Sequence, residues 1–78
     1  MNQDNDCLPL TQIKTGQTVR VATIKAGRGL VGRLASMGVT SNARIKVIRN
    51  GYPGPFVVEV RETRVVLGKG MADKIMVF

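Results

Sequence analysis

The sequence predicts a mainly β fold, a small SH3-like barrel of five antiparallel strands with one short helix. Two observations predict it. Short runs that alternate apolar and polar residues recur along the chain, separated by turn-forming residues. One stretch, Gly27 to Gly38, instead spaces its apolar residues as a helix does. Short strands at this spacing in 78 residues favour a partly closed barrel, because closure removes exposed strand edges. An OB-fold is the second alternative, although it normally needs a longer chain.

The predicted strands share the period of two that is typical of half-buried strands. In the first strand Val19 and Val21 alternate with Arg20, and in the second Ile45 and Val47 alternate with basic residues. The strands are expected at residues 17–25, 43–49, 56–61, 64–67 and 75–77. The segment 68–74, before the last strand, is expected to form a turn or a single helical turn.

The predicted helix is about two turns long. Leu30, Leu34 and Met37 lie at positions i, i+4 and i+7, and Gly38 stands where a left-handed glycine ends a helix. A helix this short, with Gly32 inside it, is not stable alone in water. We therefore expect it to pack on the strands and close one mouth of the barrel, with Leu34 in the core.

Residues 8–78 are predicted to form one domain after a flexible leader at residues 1–7. The leader is polar and lacks the basic and apolar regions of a signal peptide, and the apolar runs elsewhere are too short to span a membrane. The chain has one cysteine, Cys7, which offers no disulfide framework and favours a reducing compartment. A cytoplasmic protein is expected, with peripheral contact to the inner face of the plasma membrane as an option.

Residues able to do chemistry are scarce. The chain has no histidine, five acidic residues and a single cysteine, so four clustered metal ligands are not available. Glu59, Glu62 and Asp73 have no neighbouring acid or base that would make a catalytic pair. We therefore expect no enzyme, with no catalytic residues, no cofactor and no bound metal. Direct sensing of a transition metal ion is kept as a third alternative function.

Two glycine motifs need an explanation. Gly27, Gly29 and Gly32 match the spacing of the dinucleotide-binding fingerprint, in which backbone amides approach a pyrophosphate. The helix is too short for that fold and no acid follows the next strand, so these glycines are interpreted as permitting a tight turn under a packed helix. The Gly68-Lys69-Gly70 segment lacks the remaining residues of a phosphate loop.

The charge of +7 favours an anionic partner: a nucleic acid, an acidic protein surface or an anionic membrane. Nucleic-acid binding is the main alternative function, with basic side chains following the phosphates. Those side chains are Arg44, Lys46, Arg49, Arg61 and Arg64. Tyr52 is the only candidate aromatic for base stacking, so this hypothesis depends on charge alone.

The chain resembles the FeoA family over residues 8–77. The most specific match is the R-L-x-x-M-G block at residues 33–38. Further matches are Leu8-Pro9-Leu10, Gly16, Gly29-Leu30, Val39, Ile45, Val47, Gly54-Pro55-Phe56, Ala72, Ile75 and Val77. The sequence departs from the family pattern at Ser41-Asn42, in place of a proline-glycine-like turn, at Glu62-Thr63, where a glycine is common, and at Gly68 and Met71.

The resemblance implies an SH3-like barrel that serves as an accessory to a membrane ferrous-iron transporter with a cytosolic G-protein domain. That domain is the expected partner, and self-association into a homo-oligomer is left open. The helix block and the proline-containing loop at residues 50–55 are the expected contact surface, because an ordered loop loses little entropy on docking. The candidate contact residues are Arg28, Leu30, Arg33, Met37 and Tyr52.

Overall fold

The structure is a computed structural model and describes residues 7–51 and 54–78. Its strands are β1 (Leu8–Pro9), β2 (Thr18–Ile24), β3 (Arg44–Asn50), β4 (Phe56–Val60), β5 (Thr63–Leu67) and β6 (Ile75–Val77). Its helices are α1 (Arg28–Ser36), between β2 and β3, and α2 (Lys69–Ala72), between β5 and β6. A short 3-10 turn, Leu10–Gln12, follows β1.

The described strands form one antiparallel sheet in the order β1-β6-β2-β3-β4-β5. β2 pairs with both β6 and β3: Val21 lies opposite Val77 of β6, and Val19 lies opposite Ile45 of β3. The predicted SH3-like architecture with one short helix after the first long strand is confirmed. The predicted single helical turn before the last strand is also found, as α2.

The strand count differs from the prediction, because the described residues contain six strands rather than five. The additional strand is β1, in which Leu8 pairs with Val77 and Pro9 with Met76. Two residues, one of them proline, are too short to show an alternating pattern. The predicted leader, residues 1–7, therefore ends directly before the first strand at Leu8. Its residues 1–6 lie outside the described part of the chain.

A single aliphatic core joins the sheet to α1. No polar or charged side chain of the described residues is buried. Leu34 is the one buried residue of α1, with 0% of its surface exposed, which confirms its predicted place in the core. The largest fully buried side chains are Leu10, Leu34, Ile45, Leu67, Ile75, Val21, Val39, Val47, Val58, Val60 and Val77.

The 3-10 turn is tied to the rest of the fold by two side chains. Asn50 Nδ2, at the end of β3, donates to the carbonyl oxygen of Ile13 at 2.5 Å. Thr11 Oγ1 donates to Asp73 Oδ1 at 2.9 Å, next to the end of α2. These bonds hold β1 and the turn in place although β1 itself is only two residues long.

The turn between β4 and β5 is strained. Val60 pairs with Thr63, so Arg61 and Glu62 form a two-residue loop, with φ angles of 53° and 66°. Positive φ at both central residues is the type I′ hairpin turn, which matches the twist of the strands and favours asparagine and glycine. Each side chain here costs about 1–2 kcal/mol relative to an unstrained conformation. Glu62 belongs to the Glu62-Thr63 pair, which stands where the family resemblance implies a glycine.

Glu62→Gly is expected to raise the free energy of unfolding by about 0.5–1 kcal/mol. The reason is that relief of the left-handed strain exceeds the entropy that a glycine loses on folding. Urea unfolding followed by circular dichroism measures the change. Glu62→Ala is the matched control, because it removes the carboxylate but keeps the Cβ atom and therefore the strain. Equal stabilisation by both variants would contradict the explanation.

Candidate functional site

Four of the five candidate contact residues lie on or at the end of α1. Arg28 begins the helix and is exposed, Leu30 is half-buried against the core, and Arg33 is exposed in the last turn. Met37 is the residue that ends the helix, and 38% of its surface is exposed. The fifth candidate, Tyr52, lies outside the described residues.

The helix does not bring all four residues together. At about 100° per residue, Leu30, Arg33 and Met37 fall within about 60° of one another around the axis. Arg28 lies about 140–180° away from each of them by the same count. Leu30, Arg33 and Met37 can therefore contact one partner surface together, whereas Arg28 faces another direction. Their binding role stays a prediction.

The end of α1 is defined by backbone bonds. The amide of Val39 donates to the carbonyl of Leu34 at 2.9 Å, and the amide of Gly38 donates to that of Ala35 at 2.9 Å. This pair of bonds is the Schellman motif, which requires a left-handed residue after the cap. Gly38 is that residue, with φ of 91°, so the predicted helix end is confirmed.

Gly38 also lets the β4–β5 hairpin approach the helix. A Cβ atom on Gly38 would lie 3.2 Å from Val60 Cγ1 and 3.7 Å from Arg61 Cδ. The stem of Arg61 therefore lies across the glycine at the carboxyl end of α1, where the helix dipole favours a positive charge. The sequence indicates an outward strand residue at Arg61, and no local pattern predicts that it reaches the helix.

A groove separates the end of α1 from β5. Met37 and Gly38 form one side and residues 63–66 of β5 form the other, around a volume of about 590 Å³. Arg61 and Arg64 contribute positive charge to it, and Val66 is an apolar side chain with 66% of its surface exposed. We call it the helix–hairpin groove. Val66 is a candidate contact that sequence reasoning misses, because a valine in a strand is normally half-buried.

A second groove lies on the other side of Arg61, along the outer surface of β3. It contains the cations Arg44, Lys46 and Arg61, together with the carboxylates Glu59 and Glu62. Register places Glu59 directly opposite both Lys46 and Arg64. Acids therefore interrupt the basic residues that the sequence offers as a continuous path for phosphates.

The glycines before and inside α1 are not sterically required, contrary to the sequence interpretation. A Cβ atom on Gly27, Gly29 or Gly32 would meet nothing within 4 Å. Gly27 has φ of −71°, which any residue adopts. Neither a tight turn nor a close approach of the backbone to another element therefore requires a glycine at these three positions.

Residues 7–51 and 54–78 contain no cluster of three or more cysteine, aspartate or glutamate side chains that could hold a metal ion. In the same residues, no helix is both long enough and apolar enough to cross a membrane.

The FeoA domain family model matches residues 8–77. The chain belongs to the FeoA family. A Methanocaldococcus jannaschii relative of this FeoA-family chain, "Putative Fe(2+) transport protein A", is 42% identical over 69 residues, which cover 88% of this chain and 83% of the relative.

Solved FeoA structures share the fold. A crystal structure of an iron uptake regulatory protein (FeoA) superimposes with a TM-score of 0.83 and 33% identity, covering 92% of this chain and 95% of that one. FeoA from Chlorobium tepidum gives 0.82 and 25%, over 90% and 68% of the two chains. A manganese-dependent transcriptional repressor gives 0.81 and 27%. That match covers 91% of this FeoA-family chain but only 40% of the repressor.

Proposed function

We propose that this chain is a non-catalytic accessory protein of ferrous-iron uptake that acts in the cytoplasm. Its partner in this proposal is the cytosolic G-protein domain of a membrane ferrous-iron transporter. The observation that carries the proposal is the FeoA match over residues 8–77. The 42% identity to a protein named for Fe(2+) transport supports the same process.

The chemistry of the surface favours binding over catalysis. The described acids Glu59 and Glu62 lie among cations in an open groove, where solvent has access, rather than in a closed pocket. Iron is the cargo of the proposed process, and the chain itself is expected to work without a bound metal or cofactor. Peripheral contact of its basic surface with an anionic membrane would be secondary to the protein contact.

The proposed contact surface is the exposed part of α1 formed by Leu30, Arg33 and Met37. Met37 offers apolar contact and Arg33 a charged hydrogen-bond donor, and methionine and arginine are both enriched in protein interfaces. Leu30 is half-buried and supports the surface from below. Arg28 and Tyr52 complete the set of candidate contacts, although Arg28 would need a partner that reaches around the helix.

Arg33→Glu and Met37→Asp are each expected to weaken binding to the isolated cytosolic domain of the transporter by about tenfold or more, as substitutions at central contacts do. Isothermal titration calorimetry measures the affinity. Arg20→Glu is the matched control, because Arg20 is an exposed arginine on β2 and the charge change is the same. Equal affinity of the wild type, Arg33→Glu and Met37→Asp would remove α1 from the interface.

Nucleic-acid binding is the competing function, and the same proteins test it. It requires an affinity for oligonucleotides that falls steeply with salt, because bound phosphates release counterions. We expect no retention on an oligonucleotide column at physiological salt, since Glu59 and Glu62 interrupt the basic groove. Tight retention, lost on Arg44→Glu, together with no affinity for the transporter domain would overturn the proposal.

A further inference from the structure

The two edges of the sheet are protected unequally. β1, at one edge, has two residues, one of which is Pro9. β5, at the other edge, has five residues without proline, and within the described chain it pairs with β4 alone. Proteins usually shorten or cover such an edge, because its unpaired backbone groups invite another strand.

The unpaired backbone groups of β5 belong to Arg64 and Val66. The two-residue turn makes Val60 and Thr63 the hydrogen-bonded pair that closes the hairpin. Hydrogen-bonded and non-bonded pairs alternate along antiparallel strands, so Val65 and Leu67 bond to β4, whereas Arg64 and Val66 point their N–H and C=O groups away from it. No loop, turn or cap hydrogen bond in the described residues reaches either group.

The side chains across the outer surface of the sheet form two rows that end at this edge. The first row reads Lys46, Glu59, Arg64 on β3, β4 and β5, so positive and negative charges alternate. The second row reads Arg49, Val57, Val66, so the two side chains nearest this edge are both apolar. The next strand would therefore be complementary if it placed a carboxylate beside Arg64 and an apolar side chain beside Val66.

The space beside the edge suits an extended chain. The helix–hairpin groove runs along residues 63–66 and holds about 590 Å³. A strand in it would point alternate side chains inward, toward Met37 and Val65. Arg61 and Arg64 line the groove and the whole chain carries +7, which attracts an acidic segment and repels a second copy of the same chain.

We propose that the free edge of β5 binds an extended acidic segment of a protein partner, which pairs with it as an added antiparallel strand. Its carboxylate lies beside Arg64, and two residues earlier in its sequence a β-branched side chain lies beside Val66. The residue between them enters the groove toward Met37. This inference goes beyond the proposed function, because it concerns the mode of recognition and holds whichever protein supplies the segment.

The test uses the full chain and the synthetic peptide Asp-Asp-Thr-Val-Leu-Glu-Thr-Asp-Asp at physiological salt, with no transporter present. Hydrogen exchange followed by NMR reports on individual amides. Saturating peptide is expected to slow exchange of the Arg64 and Val66 amides by about tenfold or more, because they gain hydrogen bonds. The amides of Val65 and Leu67 are already bonded to β4, so their exchange should change little.

Two controls separate strand pairing from simple charge attraction. The same peptide N-methylated at its valine and glutamate keeps every charge but loses the backbone donors, and it should not bind. Arg64→Gln is expected to lower the affinity for the unmodified peptide by about three- to fivefold. Arg20→Gln, the same change on β2, should alter binding by less than about twofold, because its charge is distant and screened.

Three results would overturn the proposal. One is equal binding of the N-methylated peptide, which would leave charge alone as the cause. Another is unchanged exchange at Arg64 and Val66 in the presence of saturating peptide. The third is protection of these amides in the protein alone that increases with its concentration, which would make a second copy the occupant. None of these results bears on binding to the transporter domain, which calorimetry with the Arg33→Glu and Met37→Asp variants tests separately.

Discussion

Gly38→Ala is expected to lower the free energy of unfolding by about 2–4 kcal/mol. Two costs combine. The φ angle of 91° is outside the range that a residue with a Cβ atom adopts readily, and the new methyl group would lie 3.2 Å from Val60 Cγ1 in the packed core. The helix end cannot move away without breaking the bonds that end α1, and Val60 of the hairpin is held in the core. Urea unfolding followed by circular dichroism measures the loss.

Gly32→Ala is the matched control for this substitution. Gly32 is exposed inside α1, and a Cβ atom there meets nothing within 4 Å. The same glycine-to-alanine change should therefore stabilise the protein, by about 0.5–1 kcal/mol, because alanine favours the helix. Opposite signs for the two variants are the expected result. A loss below about 0.5 kcal/mol for Gly38→Ala would contradict the close approach of hairpin and helix.

Leu34→Ala is expected to destabilise the protein by about 2–5 kcal/mol, because it leaves a cavity between α1 and the sheet. Leu34 has no exposed surface and is the one buried residue of the helix. The helix is only nine residues long, so without this contact it should open before the sheet does. Faster amide exchange in α1 than in β3 would show that order of events.

Leu34→Met is the conservative variant, and it should cost less than about 1.5 kcal/mol because the volume is nearly kept. Thermal unfolding of the two variants compares them directly. A small effect of Leu34→Ala would mean that the helix does not close the core. The stability of the barrel would then have to come from contacts other than that of Leu34 with the sheet.

Much of the fold follows from local signals in the sequence. Val19 and Val21, and likewise Ile45 and Val47, are apolar residues two positions apart. This spacing predicts strands because it places the apolar side chains on one face of each strand, toward the core. Gly38 predicts the end of α1 because few other residues adopt its conformation. β1 carries no such signal, since its pairing with β6 depends on residues almost seventy positions away in the chain.

The candidate site was less predictable. The exposure of Arg33 is visible in the sequence because periodicity separates it from the apolar side of the helix. The same periodicity groups Met37 with Leu30 and Leu34, and its exposure is seen only in the structure. Arg61 and Val66 carry no comparable pattern. Their importance comes from the strained turn, which aims Arg61 at the helix, and from the edge position of β5, which leaves Val66 exposed.

The sequence by itself determined the class of fold, the position of α1, the burial of Leu34 and the family, because each depends on neighbouring residues or on the order of residue types. Tertiary structure decided which surfaces meet and which stay open. The approach of Arg61 to Gly38 and the open edge of β5 arise from the order in which strands pair. That order is set by packing between distant segments, and short-range periodicity contains no information about it.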